Sequence, residues 1–148
     1  MICAWDRFLS VLPVWLRQEV REQTQLQELR LRQDMPPELI FKEKRLWLKQ
    51  PVIRQDLSFV LNAASRYSPW TASSMAQGYV TAPGGHRIGI CGEAVIKEGS
   101  VSGIREVTSL CLRVARDYPG IAEKAGKLPG SVLILGAPGW GKPRCCGI

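Results

Sequence analysis

A glycine loop that ends in a lysine, Gly136-Ala137-Pro138-Gly139-Trp140-Gly141-Lys142, is the stretch of this sequence best suited to chemistry. It satisfies every position but the last of the pattern G-x-x-x-x-G-K-[ST]. In that pattern glycines let successive backbone N–H groups curl around a phosphate, and the lysine neutralises it. A Ser/Thr hydroxyl then holds magnesium. Position 143 is proline, which has neither a hydroxyl nor an N–H to offer. The residues therefore prefigure a grip on phosphate without the ligand for its metal.

Such a loop works only between a buried parallel strand and the N-terminus of a helix, whose dipole and free donors complete the anion site. Residues 132–135, Val-Leu-Ile-Leu, are the apolar run expected of the strand. Only residues 143–148 follow the lysine, and an isolated helix shorter than about 12–15 residues is marginal in water. No later acidic strand end is present to position magnesium and water, so nucleotide hydrolysis by this chain alone is not expected. The tail has a reading of its own. Phosphate loops often continue Lys-Thr-Thr-Leu-Leu-Arg-Asp, for which AAA ACC ACG CTG CTG CGG GAT is one coding. Removing one adenine gives AAA CCA CGC TGC TGC GGG AT, or Lys-Pro-Arg-Cys-Cys-Gly-Ile, which is the sequence of residues 142–148. Residues 143–148 are thus expected to be the out-of-frame product of a longer gene.

The chain has 148 residues, the size of one domain with a fragment of another. Its 20 Lys and Arg outweigh 13 Asp and Glu, a net charge of +7 that suits an anionic partner. The cations are scattered along the sequence, which reads as a solvated basic surface, and nucleic acid is not an expected partner. Cys3, Cys91, Cys111, Cys145 and Cys146 show no C-x-x-C spacing, and the sequence has a single histidine. No metal site is expected. An odd cysteine count points to a reducing cytosol. Residues 8–16 are apolar, but too short to span a bilayer and broken by Pro13. A cytoplasmic location is expected, with peripheral contact at the inner membrane left open.

Periodicity outlines a first domain. Phe8, Leu9, Leu12, Trp15 and Leu16 predict a helix over residues 5–20, either continuous or as two short helices around Pro13, with Trp5 and Trp15 as packing residues. Residues 26–32 alternate as a half-buried strand, with Arg30 and Arg32 on one face as a solvated pair or partners of an acid or phosphate. Residues 38–41 and 45–48 form a hairpin. Leu57, Val60, Leu61 and Ala64 predict an amphipathic helix over 55–67, and Thr71 caps a second helix ending at Gly78. Strands at 79–82 and 86–91 meet at Pro83-Gly84-Gly85. The second is extended by 93–97, with Gly89 and Gly92 marking bulges or close backbone approach. Two further strands are expected at 101–107 and 110–115. His86 and Arg87 at the turn read as a hairpin cap or a solvent-facing pair in preference to a ligand.

Asp117-Tyr-Pro-Gly reads as a linker, followed by a short helix at 121–127. Arg113 and Arg116 lie just before it. There a basic residue is either surface charge at a strand end or an arginine able to reach a neighbour's phosphates.

The segments GYVTAPGGHRIGICGEAV, IREVTSLCLRVARD and SVLILGAPGWGK, in that order and supported by ELRLRQDMPPELIF and DLSFVLNAASRYS, resemble the stage III sporulation protein AA family of endospore-forming bacteria. The resemblance runs from about Leu26 to Lys142. It implies an ATPase similar to secretion and type IV pilus motors: an α+β N-terminal domain, a linker, and a RecA-like α/β core that binds ATP and Mg2+. Such cores assemble into rings, typically hexamers, and the family is thought to energise the mother-cell side of a channel to the forespore, with that channel's membrane proteins as partners. Gly136, Gly139, Gly141 and Lys142 match the family's phosphate loop, and its threonine is replaced by Pro143. The expected division is an N-terminal α+β domain at 1–127 and the start of the ATPase domain at 128–148. The alternative is a non-catalytic module that binds partner subunits.

Overall fold

A computed structural model of the chain describes residues 3–66 and 77–117, together with Gly120, Glu123, Gly130, Leu133, Leu135 and Gly136. Residues 71–76 of one expected helix, all but Glu123 of the helix expected at 121–127, and most of the phosphate loop lie outside these residues.

Proline and apolar spacing shape the first elements. Helix α1 spans Trp5–Ser10 and α2 spans Val14–Val20, with Pro13 as the residue before the second helix. There its lack of an N–H costs nothing, since the first helical donors are unpaired anyway. Arg17 then reaches back from α2, donating to the carbonyls of Leu9 at 3.0 Å and Leu12 at 3.1 Å. A cation therefore closes the exposed carbonyl end of α1. Trp5 and Trp15 both pack against the core, and each indole N–H has an acceptor: Arg21 O at 2.9 Å and Asp56 Oδ1 at 3.0 Å.

Strands β1 (Glu28–Arg32), β2 (Glu38–Ile40) and β3 (Arg45–Trp47) follow. Helix α3 (Arg54–Ser65) buries the stripe Leu57, Val60 and Ala64. Its start is fastened by Asp56, whose Oδ2 accepts the Ile53 N–H at 3.0 Å while Oδ1 takes the Trp15 indole, so one buried carboxylate joins α2 to α3. Strands β4 (Tyr79–Ala82), β5 (His86–Lys97) and β6 (Ser100–Arg113) complete the fold.

The six strands form one antiparallel sheet in the order β3-β2-β1-β6-β5-β4. Neighbours in sequence pair as hairpins, and the one distant pairing sets β6 beside β1, with Leu29 opposite Leu112. Pleating sends Leu29, Leu31, Leu39, Val80, Ile88, Ile90, Leu110 and Leu112 to one face. There they join Phe8, Leu12, Leu16, Leu57 and Val60 of the helices in a single apolar cluster. Each such side chain contributes about 1.5–3 kcal/mol on full burial. The architecture is α+β, with helices on one face of an antiparallel sheet.

One sequence expectation changes. The strands expected at 101–107 and 110–115 are one, β6. Between the pairs Cys91–Ser109 and Glu93–Arg105 the register shifts, with residues 106–108 of β6 facing Gly92 alone, and the Glu106 φ of 48° absorbs the irregularity without breaking the strand. Gly92 sits there because a Cβ would come within 2.9 Å of Glu106 O and Val107 Cα. Beyond this bulge β5 and β6 continue as a ribbon. The pairing of β4 reaches only Gly89 and that of β1 only Ser109, while β5 and β6 remain paired out to Lys97 and Ser100. Of the apolar run at residues 132–135, only Leu133 and Leu135 are among the described residues; they are 82% and 81% exposed.

The chain divides into two compact units, Ala4–Ala115 and Met1–Cys3 with Arg116–Ile148. The helices and sheet all belong to the first.

Candidate functional site

The face of the sheet away from the helices carries the charge. Alternation and register bring Arg45 on β3, Glu38 on β2, Glu28, Arg30 and Arg32 on β1, Arg113 on β6 and Arg87 on β5 to this face. Cations that look scattered along the sequence are thus gathered in space. Glu38, although 3% exposed, belongs to this side: the guanidinium groups of Arg32 at 3.3 Å, Arg45 at 3.6 Å and Arg30 at 3.7 Å cover it. Glu28 accepts from Arg30 Nε at 2.5 Å and from Arg113 Nε at 3.3 Å.

Toward β5 the face opens into a cavity of about 220 Å3 lined by Arg87, Gly89, Cys111 and Arg113. Its shape follows from register. Arg87 stands directly opposite Arg113, and Gly89 opposite Cys111, so a missing side chain leaves space between two cations. Like charges set across a strand pair repel, which an anion held between them relieves. Each guanidinium is steadied from one side. Arg113 is held by Glu28, and Arg87 lies over the Tyr79 ring with its central carbon 4.2 Å from the centroid. The Cys111 thiol is held toward its protonated form. Burial, then the hydrogen bond and charge of Glu28, push its thiol above the ordinary cysteine range.

Burial works to raise the Glu28 pKa, but hydrogen bonds from Arg30, Cys111 and Arg113 and the Arg30 charge outweigh it, leaving the carboxyl below its ordinary value. A group depressed in this way stabilises the fold fully above its unfolded pKa, about 4.3, and loses that contribution as pH falls through the lower folded value. Urea unfolding between roughly pH 3 and 6 should therefore show stability falling toward acid, with Glu28→Gln flattening part of the slope. An unchanged slope in Glu28→Gln would mean that the carboxylate is not held by these arginines.

The expected site residues fare differently. Arg113 is at the cavity. Arg116 lies in the other unit and is half-buried, and Gly136 is exposed. Ala137, Pro138, Gly139, Trp140, Gly141 and Lys142 lie outside the described residues. Arg87, the cavity's second cation, was missed by sequence reasoning, because only the β5–β6 register reveals its partner. His86, expected to cap the hairpin or face solvent, is 1% exposed. The alternation His86, Ile88, Ile90 places it on the core side. Among the described residues no helix is long and apolar enough to cross a membrane.

The fold and face define an α+β domain with helices on one side of its sheet and an arginine-rich surface on the other. The sequence profile of a family described as "Sporulation stage III, protein AA" matches residues 7–130. The "Stage III sporulation protein AA" of Bacillus subtilis (strain 168) is 35% identical over 150 residues, covering 93% of this chain and 48% of the relative. The chain belongs to the sporulation stage III protein AA family. It spans about half the length of that curated relative. In fold it is similar to the X-ray structure of the Legionella pneumophila ATPase DotB, with a TM-score of 0.52 at 16% identity, over 91% of this chain and 40% of that one.

Proposed function

We propose that this chain is the leading part of a sporulation ATPase subunit, an α+β N-terminal domain followed by the opening of a nucleotide-binding domain. The observation that carries the reading is the glycine loop and lysine from Gly136 to Lys142, found in a member of this family. The likeness to an ATPase in fold supports it. The division at about residue 127, the ring assembly, the membrane proteins of a channel as partners and the cytoplasmic, mother-cell location belong to the same proposal.

The donor set fits nucleotide phosphates better than magnesium. Lys142 is a cation at the loop's end, whereas Pro143 has no hydroxyl for the metal; the Arg87–Arg113 cavity is a separate pair of cations on the sheet. ATP with Mg2+ would supply a transferable phosphoryl group. The arginines' part is to hold and neutralise phosphate oxygens of a neighbouring subunit. In this reading Arg113 and Arg116 are the linker arginines, and Arg87 joins Arg113.

The test compares this chain with a version carrying threonine at 143 and the restored reading frame, measuring ATP binding by calorimetry and phosphate release with Mg2+. The chain as it stands should show neither above background, and the restored version both. Turnover by this chain, or a restored version that binds no ATP, would overturn the reading. The second reading, a non-catalytic docking module, draws on the core being contained within Ala4–Ala115. A restored version that binds no ATP is the outcome it expects.

A further inference from the structure

The sequence's one histidine is spent where the chain enters and leaves its folded unit. Ala4 is the first residue of that unit and Ala115 its last. The His86 ring, 1% exposed, touches both: Nδ1 accepts the Ala115 N–H at 3.0 Å, and Nε2 lies 3.0 Å from the Ala4 carbonyl oxygen. An acceptor at Nδ1 has no proton of its own, so in the neutral ring the proton is on Nε2 and is donated to Ala4. Phe8 meets the ring edge-on, 5.2 Å between centroids. Gly84 closes the other side, where a Cβ would come within 2.6 Å of the Ala4 Cβ and 2.9 Å of His86 Nε2. Its φ of 85° also belongs to the turn that feeds β5.

We propose that His86 is a proton-sensitive clasp that, as neutral imidazole, ties both ends of the Ala4–Ala115 unit to the β4–β5 turn and lets Ala115 go when it is protonated. The chemistry is one of donors and acceptors. A second proton on the ring can go only to Nδ1, where it meets the Ala115 N–H donor to donor, and the hydrogen bond is lost. The Nε2–H bond to Ala4 survives, so release is one-sided and acts where the chain passes to Arg116. Among the described residues, the ionisable groups of the surrounding elements begin with Cys3, half-buried beside Ala4. Asp6 and Arg7 of α1 are exposed, Arg87 and Arg113 project from the opposite face of the sheet, and Arg116 and Asp117 follow Ala115, half-buried and exposed respectively. The 83–85 turn contributes none.

Because His86 is the sole histidine, the full chain labelled with 15N reports on it without ambiguity. Ring nitrogen shifts should show the Nε2–H tautomer at neutral pH. On acidification Ala115 amide exchange, and trypsin cleavage after Arg116, should each rise roughly tenfold in step with ring protonation, the equivalent of about one net hydrogen bond. Leu112 amide protection should persist through that step. The His86→Gln and His86→Phe variants should show the fast Ala115 exchange already at neutral pH, without its pH step. An Nδ1–H tautomer at neutral pH, protonation without any change at Ala115, or simultaneous loss of protection at Leu112 would each overturn the clasp. The last would make His86 a core residue only.

Discussion

Arg113→Ala, placed in a version with threonine at 143 and the restored reading frame, should lower ATP turnover by roughly 10^3-fold or more, the range found for arginines that meet a transferred phosphoryl group. Nucleotide binding should weaken far less, because lysine and backbone donors of the loop remain. Arg113→Lys should not rescue it, since an ammonium cannot reproduce a fork held on one side by Glu28 and free to grip an oxyanion on the other. The side chain is exposed at the end of β6 but bonds Glu28, which Arg30 still holds, so stability should fall by no more than about 1 kcal/mol. Steady-state phosphate release, with urea unfolding as the control, reads both quantities. Turnover unchanged by Arg113→Ala would remove this arginine from the phosphate site.

The neighbouring residue should behave in the opposite way. Leu112 is fully buried, lying between Leu29 of β1 and Ile88 of β5 at the middle of the sheet. Leu112→Ala opens a cavity against both neighbours and the helices behind them, and should cost about 3 kcal/mol of unfolding free energy, within the usual 2–5 for such deletions. In an equilibrium urea experiment the midpoint should fall at nearly constant slope. A loss below about 1 kcal/mol would mean that the site collapses to fill the gap, and that β6 is not the packed centre of the sheet. Under the proposed function, one strand carries a residue for phosphate and a residue for folding side by side, separated only by the pleat.

Much of this was open to a reader of the sequence. Pro13 between two apolar clusters, the Leu57–Ala64 stripe and the Pro83-Gly84-Gly85 turn are local signals, and each maps to a local element. The hidden features are those that depend on register. Nothing in residues 26–32 says that the last strand will lie against them, so the meeting of Glu28 with Arg113, 85 positions later, cannot be read from composition. The same pairing turns dispersed arginines into a surface. The continuity of β6 was missed because a bulge carried by a left-handed Glu106 looks, in sequence, like a strand end. His86 reads from sequence as a hairpin cap or a solvent-facing residue because it adjoins a glycine turn, although its alternation with Ile88 and Ile90 points inward.

The ribbon formed by the outer parts of β5 and β6 has a practical consequence. From Glu93 to Lys97 it reaches about 15 Å past the bulge, ending at Glu98 and Gly99, where an added side chain on Gly99 would meet nothing within 4 Å. An affinity tag or fluorophore set into that tip stands at the end of a short lever, away from both the arginine cavity and the buried histidine. It offers a way to immobilise or track the protein without touching either.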